Sequence, residues 1–130
     1  MGPVSGELVL IVEDDQRSRK LLRDLLQFHG YRTLEAANGS AALILAQGSR
    51  PQLVLLDIRL PDMDGVAVLL KLRDELGLAE VPMVAVTASV MRGDEQRFLR
   101  AGFDGYIPKP INVASLPGQV RQYLDLDRST

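Results

Sequence analysis

A chain of 130 residues, 46% hydrophobic and 25% charged, suits one globular domain, expected over residues 8–124 with short tails at 1–7 and 125–130. A net charge of -2 argues against a nucleic-acid-binding surface, and the absence of cysteine removes disulfides, thiol catalysis and cysteine-ligated zinc. No apolar run approaches the roughly 20 residues of a membrane span, and the start lacks the basic and apolar regions of a secretory signal, so a cytoplasmic protein with no membrane partner is expected.

Leu8 to Val12 is a short apolar run, the length of a buried strand. Gln16 to His29 carries Leu21, Leu22, Leu25 and Leu26 on one helical face, with Asp15 placed to cap it and Gly30 to end it. Tyr31 to Ala36 reads as a strand. Ser40 to Gln47 reads as a helix, with Asn38 as its cap and Gly48 as its stop. Leu53 to Leu56 is a third apolar run, ending at Asp57. The loop Pro61-Asp62-Met63-Asp64-Gly65 leads into a helix from Val66 to Leu76. Val81 to Thr87 is a strand that Pro82 can enter only near its start. Met91 to Arg100 is helical with Gly102 after it, and Tyr106-Ile107 is a short strand before Pro108-Lys109-Pro110. Val113 to Leu124 forms the last helix, although Pro117 and Gly118 weaken its first half.

Five rounds of strand then helix imply a doubly wound α/β fold on a parallel sheet with right-handed crossovers. Continuous apolar strands fit a sheet covered on both faces. Ligands of such sheets sit beyond the carboxyl ends of the strands, where strand order reverses. Those ends carry Glu13-Asp14-Asp15, Asp57, Thr87 and Lys109.

Glu13-Asp14, a lone Asp57 after an apolar strand, Pro61-x-Met63-Asp64-Gly65, Thr87-Ala88 and Lys109-Pro110 resemble the receiver domains of two-component response regulators, the CheY-like superfamily. The match spans roughly Leu8 to Leu124, and its strength lies in five elements in order, each at a strand end. The resemblance implies a flavodoxin-like (βα)5 sheet in the order 2-1-3-4-5, which sets strands 1 and 3 side by side. It implies that Asp57 accepts a phosphoryl group from a phosphohistidine, and that the protein is no enzyme beyond its own phosphorylation and slow dephosphorylation. Mg²⁺ (or Mn²⁺) is the implied cofactor, because clustered carboxylates repel and a hard cation relieves that cost.

In the family the metal-facing acids come about seven residues before the first buried position of helix 1. Taking that position as Leu21 selects Asp14, with Glu13 as its partner through water and Asp15 left as the cap. By the same resemblance Asp57 and the Arg59 carbonyl complete the metal set. Thr87, Ala88 and Lys109 serve the phosphate, Tyr106 follows Thr87 in the switch, and Lys109-Pro110 is a cis peptide. The face of helix 4, strand 5 and helix 5 then changes its affinity for a downstream protein. The implied donor is a sensor histidine kinase or histidine phosphotransfer protein, and the state a monomer or a phosphorylation-dependent dimer. Thr87 to Glu95 resembles the single-domain cell-cycle type, with Arg59 and Ser89 flanking the site and Val90 and Tyr106 on the output face.

Plainer readings exist for each residue. Asp57 alone could be a solvated loop acid, Lys109 a surface lysine, Thr87 an ordinary strand residue and Tyr106 a partly buried tyrosine. His29 at a helix end reads as structural, and Met63 and Met91 as packing. Three rival functions fit less well. A haloacid-dehalogenase-type phosphohydrolase needs an acid where Arg59 stands. A flavodoxin-like flavin carrier would find Glu13-Asp14-Asp15 repelling its phosphate. A partner-binding pseudo-receiver would not need every key position filled. The chain could also be one receiver module of a larger hybrid kinase.

Overall fold

The computed structural model describes residues 6–88 and 93–126. Five parallel strands run in the order β2-β1-β3-β4-β5: β1 Leu8–Val12, β2 Arg32–Ala36, β3 Leu53–Leu56, β4 Met83–Thr87 and β5 Gly105–Pro108. The helices are α1 Gln16–Phe28, α2 Gly39–Gln47, α3 Gly65–Asp74, α4 Asp94–Ala101 and α5 Leu116–Leu124. The order is the flavodoxin-like one expected, and the register pairs Val12 with both Ala36 and Leu56, so the ends of β1 and β3 lie level.

The strands are apolar throughout because alternate residues feed two cores. Leu10, Val12, Val54, Leu56, Met83 and Ala85 face α2, α3 and α4 and pack with Leu69, Leu72 and Phe98. Val9, Ile11, Leu53, Leu55, Val84 and Val86 face α1 and α5 and pack with Leu22, Leu26, Leu116 and Val120.

Several element ends differ from the sequence reading, each for a local reason. α1 stops at Phe28 and β2 starts at Arg32, because the Tyr31 amide donates back to the Leu26 carbonyl and closes the helix. α3 runs from Gly65 to Asp74, with the Asp64 carboxylate accepting from the Val66 amide. β4 starts at Met83, after Pro82, which has no amide to give; the Met83 amide is taken by Asp104 Oδ2 at 2.8 Å. α5 starts at Leu116, because Asn112 Oδ1 accepts from Ala114 and Ser115 and holds residues 112–115 in a turn. Pro117 then sits in the first turn, where its missing amide costs nothing. α4 is described from Asp94; Met91 and Arg92 lie outside the described residues.

The far end of the sheet is tied by Arg73. Its guanidinium donates to the carbonyls of Ala79, Val81 and Gly102 and pairs with Asp104 at 3.1 Å, joining α3 to the loops before β4 and β5. On the other face Tyr123 packs against β5, and a Cβ built on Gly105 would stand 2.6 Å from its Cζ. Gly105→Ala is therefore expected to cost about 1–3 kcal/mol, as overpacking does. A lower urea midpoint at unchanged m-value would show it; an unchanged midpoint would mean that the ring tilts away freely.

Candidate functional site

Each acidic loop is aimed by backbone bonds at a strand end. The Asp57 amide donates to the Val12 carbonyl at 2.9 Å, and the Glu13 amide to the Ala36 carbonyl at 2.9 Å. These bonds extend the sheet one residue past β1 and β3 and set Glu13 and Asp57 side by side. Asp15 turns away and caps α1, its Oδ2 accepting from the Ser18 amide at 3.1 Å and the Ser18 hydroxyl at 2.8 Å. The Asp15 amide in turn donates to Glu13 Oε2 at 3.0 Å, and Arg19 donates to the Glu13 carbonyl at 2.9 Å.

Glu13, Asp14 and Asp57 offer carboxylate oxygens within 4.8 Å of one another. Glu13 is 1% exposed and Asp57 6%, whereas Asp14 is exposed and opens the cluster to solvent. Lys109 reaches in from the end of β5. Its Nζ lies 3.1 Å from Asp57 Oδ2 and 2.5 Å from Glu13 Oε1, and its amide donates to the Thr87 carbonyl at 3.0 Å. The Lys109–Pro110 peptide is cis. Burial pushes the Glu13 carboxyl up to about 7, against the pull of Lys109 and with a push from Asp57. Burial also works against the Lys109 charge, but its bonds to Glu13 and Asp57 outweigh it and hold the ammonium above the ordinary lysine range.

The other expected residues surround this cluster. Thr87 is buried at the end of β4, and Ala88 beyond it is exposed. Arg59 is exposed; its amide donates to Asp57 Oδ1 at 3.1 Å, and it bridges to Asp64 across the base of the β3–α3 loop. Tyr106 is half-buried, its ring tilted against Phe98 with centroids 6.3 Å apart. Ser89 and Val90 lie outside the described residues. His29 is exposed at the end of α1, edge-on to Phe28.

Counting back from Leu21 requires correction: Leu21 is only half-buried, and Leu22 is the first buried residue of α1. The same count from Leu22 lands on Asp15, which is the cap. The cluster itself, not the count, places Asp14 beside Asp57. Two features escaped the sequence reading. Lys109 pairs with Glu13 as well as Asp57, and nothing local announces a contact between residues so far apart. Asp62 clamps the start of α2, and its only signal was an acid in the loop Pro61-Asp62-Met63.

The donor set suits a hard divalent cation. All the ligand-bearing side chains are carboxylates, and with all three ionised against one ammonium two negative charges are left to be met. Glu13, Asp14 and Asp57 are the residues that would hold the ion.

The sequence profile of the response regulator receiver domain matches residues 9–121. The chain belongs to that family. This receiver is 44% identical over 116 residues to the polar-differentiation response regulator DivK of Brucella anthropi, which covers 89% of this chain and 94% of the relative. It is 42% identical to the DivK of Brucella ovis over the same shares. Among solved structures it is similar to a CheY-like receiver from Methanospirillum hungatei, with a TM-score of 0.83 and 31% identity over 92% of this chain and 94% of that one. The receiver domain of a Pseudomonas aeruginosa sensor histidine kinase, solved with a magnesium ion coordinated in its active-site cleft, is 31% identical with a TM-score of 0.82 over 92% of this chain and 98% of that one. The receiver is thus a two-component signalling domain, and among its described residues no helix is long and apolar enough to cross a membrane.

Proposed function

We propose that this receiver takes a phosphoryl group from a phosphohistidine onto Asp57, with Mg²⁺ held by Asp14 and Asp57 and by Glu13 through water. The observation that carries the reading is the cluster of Glu13, Asp14 and Asp57 within 4.8 Å, with Lys109 paired to two of them. An Asp57 oxygen forms the new O–P bond as the donor's N–P bond breaks, and the bonding pair returns to the imidazole nitrogen. Bound Mg²⁺ supplies charge neutralisation for the acceptor and the transferred group. The protein positions the reactants: Arg59 and Lys109 each hold one Asp57 oxygen, and these bonds orient the carboxylate. When the phosphoryl group arrives, Lys109 exchanges its bond to Asp57 for one to a phosphate oxygen. Thr87 and the Ala88 amide serve the other phosphate oxygens, and the Arg59 carbonyl would help to hold the ion.

The output follows as a shift between two states. Thr87 moves toward the phosphate, the Tyr106 ring fills the space it leaves, and the face of α4, β5 and α5 repacks for a protein target. A sensor histidine kinase or histidine phosphotransfer protein in the cytoplasm supplies the phosphoryl group. The likeness to the Brucella regulators supports an output in polar differentiation, and the net charge of -2 favours a protein target over DNA. The likeness to a sensor kinase's receiver supports a second reading, in which this domain works inside a hybrid kinase.

The test is intact mass after incubation with acetyl phosphate, with and without Mg²⁺, beside Asp57→Asn. Mg²⁺-dependent gain of one phosphoryl group by wild type and none by the variant is expected. Gain by the variant would move the acceptor elsewhere. No gain from either acetyl phosphate or a phosphohistidine donor would leave a receiver that binds partners without phosphotransfer.

A further inference from the structure

The β3–α3 loop runs from Asp57 to Asp64 and carries Arg59, whose amide donates to Asp57 Oδ1 at 3.1 Å. Its base is closed by the Gly65 amide on the Ile58 carbonyl at 2.9 Å and by the Arg59–Asp64 bridge. Its tip has a different anchor. Asp62 Oδ1 accepts from the Gly39 amide at 2.8 Å, and Oδ2 accepts from the Ser40 amide at 3.0 Å and the Ser40 hydroxyl at 2.9 Å. The next residue, Met63, lies against Gly39 so closely that a Cβ there would meet its side chain and Val68 Cγ2 at 2.9 Å. Two consecutive loop residues thus grip the first turn of α2.

Asn38 caps α2 with a 2.8 Å bond to the Ala41 amide, and Asp62 takes the two amides before it, so the clamp joins the loop to a helix start that Asn38 also holds. The first turn of α2 follows β2, whose last carbonyl, on Ala36, holds the Glu13 amide. Asp62 closes a circuit from Glu13 through β2 and α2 to the loop that orients Asp57.

We propose that Asp62 is a positioning residue for the acidic cluster, setting the direction of the Asp57 carboxylate relative to Glu13 and Asp14 from outside the site. The inference rests on the metal-binding reading above. Without the clamp the loop tip is held by Met63 alone, the Arg59 amide keeps only the anchors at the loop base, and the carboxylates converge less well on a cation.

Calorimetric titration of Mg²⁺ into the full chain tests this, with thermal unfolding of each variant recorded alongside. Asp62→Ala is expected to weaken Mg²⁺ binding roughly tenfold, at the low end for outer-shell partners of a metal site. Asp62→Asn keeps one acceptor oxygen and is expected to fall between wild type and Asp62→Ala. Ile44→Gly loosens α2 at an exposed position without touching the clamp, and is expected to keep wild-type affinity. Equal affinity in Asp62→Ala and wild type would overturn the proposal. So would an Ile44→Gly variant that loses as much as Asp62→Ala, because the effect would then be helix stability alone. Wild type that binds no Mg²⁺ would instead overturn the metal reading, and this inference with it.

Discussion

Gly65→Ala is expected to cost about 3 kcal/mol or more and to cut phosphoryl uptake with it, because the added methyl has nowhere to go. Its Cβ would stand 2.6 Å from the Asp57 carbonyl oxygen and 2.8 Å from Ile58 Cα. Both are backbone atoms, so no side chain can swing aside, and one of them belongs to Asp57, the proposed phosphoacceptor. Relief requires α3 to back away from β3, which breaks the 2.9 Å bond from the Gly65 amide to the Ile58 carbonyl. The Arg59 amide would move with it and release Asp57 Oδ1. Gly118→Ala is the control: nothing lies within 4 Å of its Cβ, and it sits inside α5. There alanine is expected to add up to about 1 kcal/mol through helix propensity alone. Urea unfolding of the two variants should therefore shift in opposite directions. A Gly65→Ala protein as stable as wild type would mean that the loop is soft, and the rigid orientation of Asp57 would fall with it.

How much of this was legible in the sequence depends on the range of the interaction. The strand Leu53 to Leu56 and the caps Asp15 and Asn38 were read where they stand, because an apolar run and a capping side chain act over a few residues. The strand order came from the family resemblance joined to the alternation of elements. The ends that moved were those set by partners elsewhere in the chain. Val81 reads as strand by its branching, yet the bond from Asp104 to the Met83 amide marks where the strand begins. Val113 reads as helix, yet Asn112 folds the next residues into a turn before the helix can start. At the site, the strand ends and the family resemblance named Glu13, Asp14, Asp57 and Lys109, but not how they pair. That Lys109 serves Glu13 as well as Asp57, and that Asp62 reaches back to Gly39 and Ser40, are facts of three-dimensional packing.

Replacing Lys109 with methionine is expected to slow phosphoryl uptake by about 10²–10³-fold, the effect of removing one preorganised charge from a developing oxyanion. The same variant should change how stability depends on pH in metal-free buffer. Glu13 is pushed up to about 7 in the folded protein, above its ordinary value of 4.5. Between those values the folded state binds more protons than the unfolded state, so stability falls as pH rises, and it levels once pH passes the folded pKa. The depressed carboxyls of Asp15, Asp24 and Asp62 act in the opposite sense, but only at more acid pH, where stability is lost as pH falls through their folded pKa values. Lys109 draws Glu13 down, so without it the Glu13 carboxyl rises further and the falling limb extends to higher pH. Urea unfolding in a chelator from about pH 5 to about pH 8 separates the two proteins: wild type should flatten near neutrality while Lys109→Met continues to lose stability. Adding Glu13→Gln to Lys109→Met should remove that extended limb. Parallel curves for wild type and Lys109→Met would show that the lysine does not balance the buried glutamate, and that its contact with Glu13 carries no electrostatic weight.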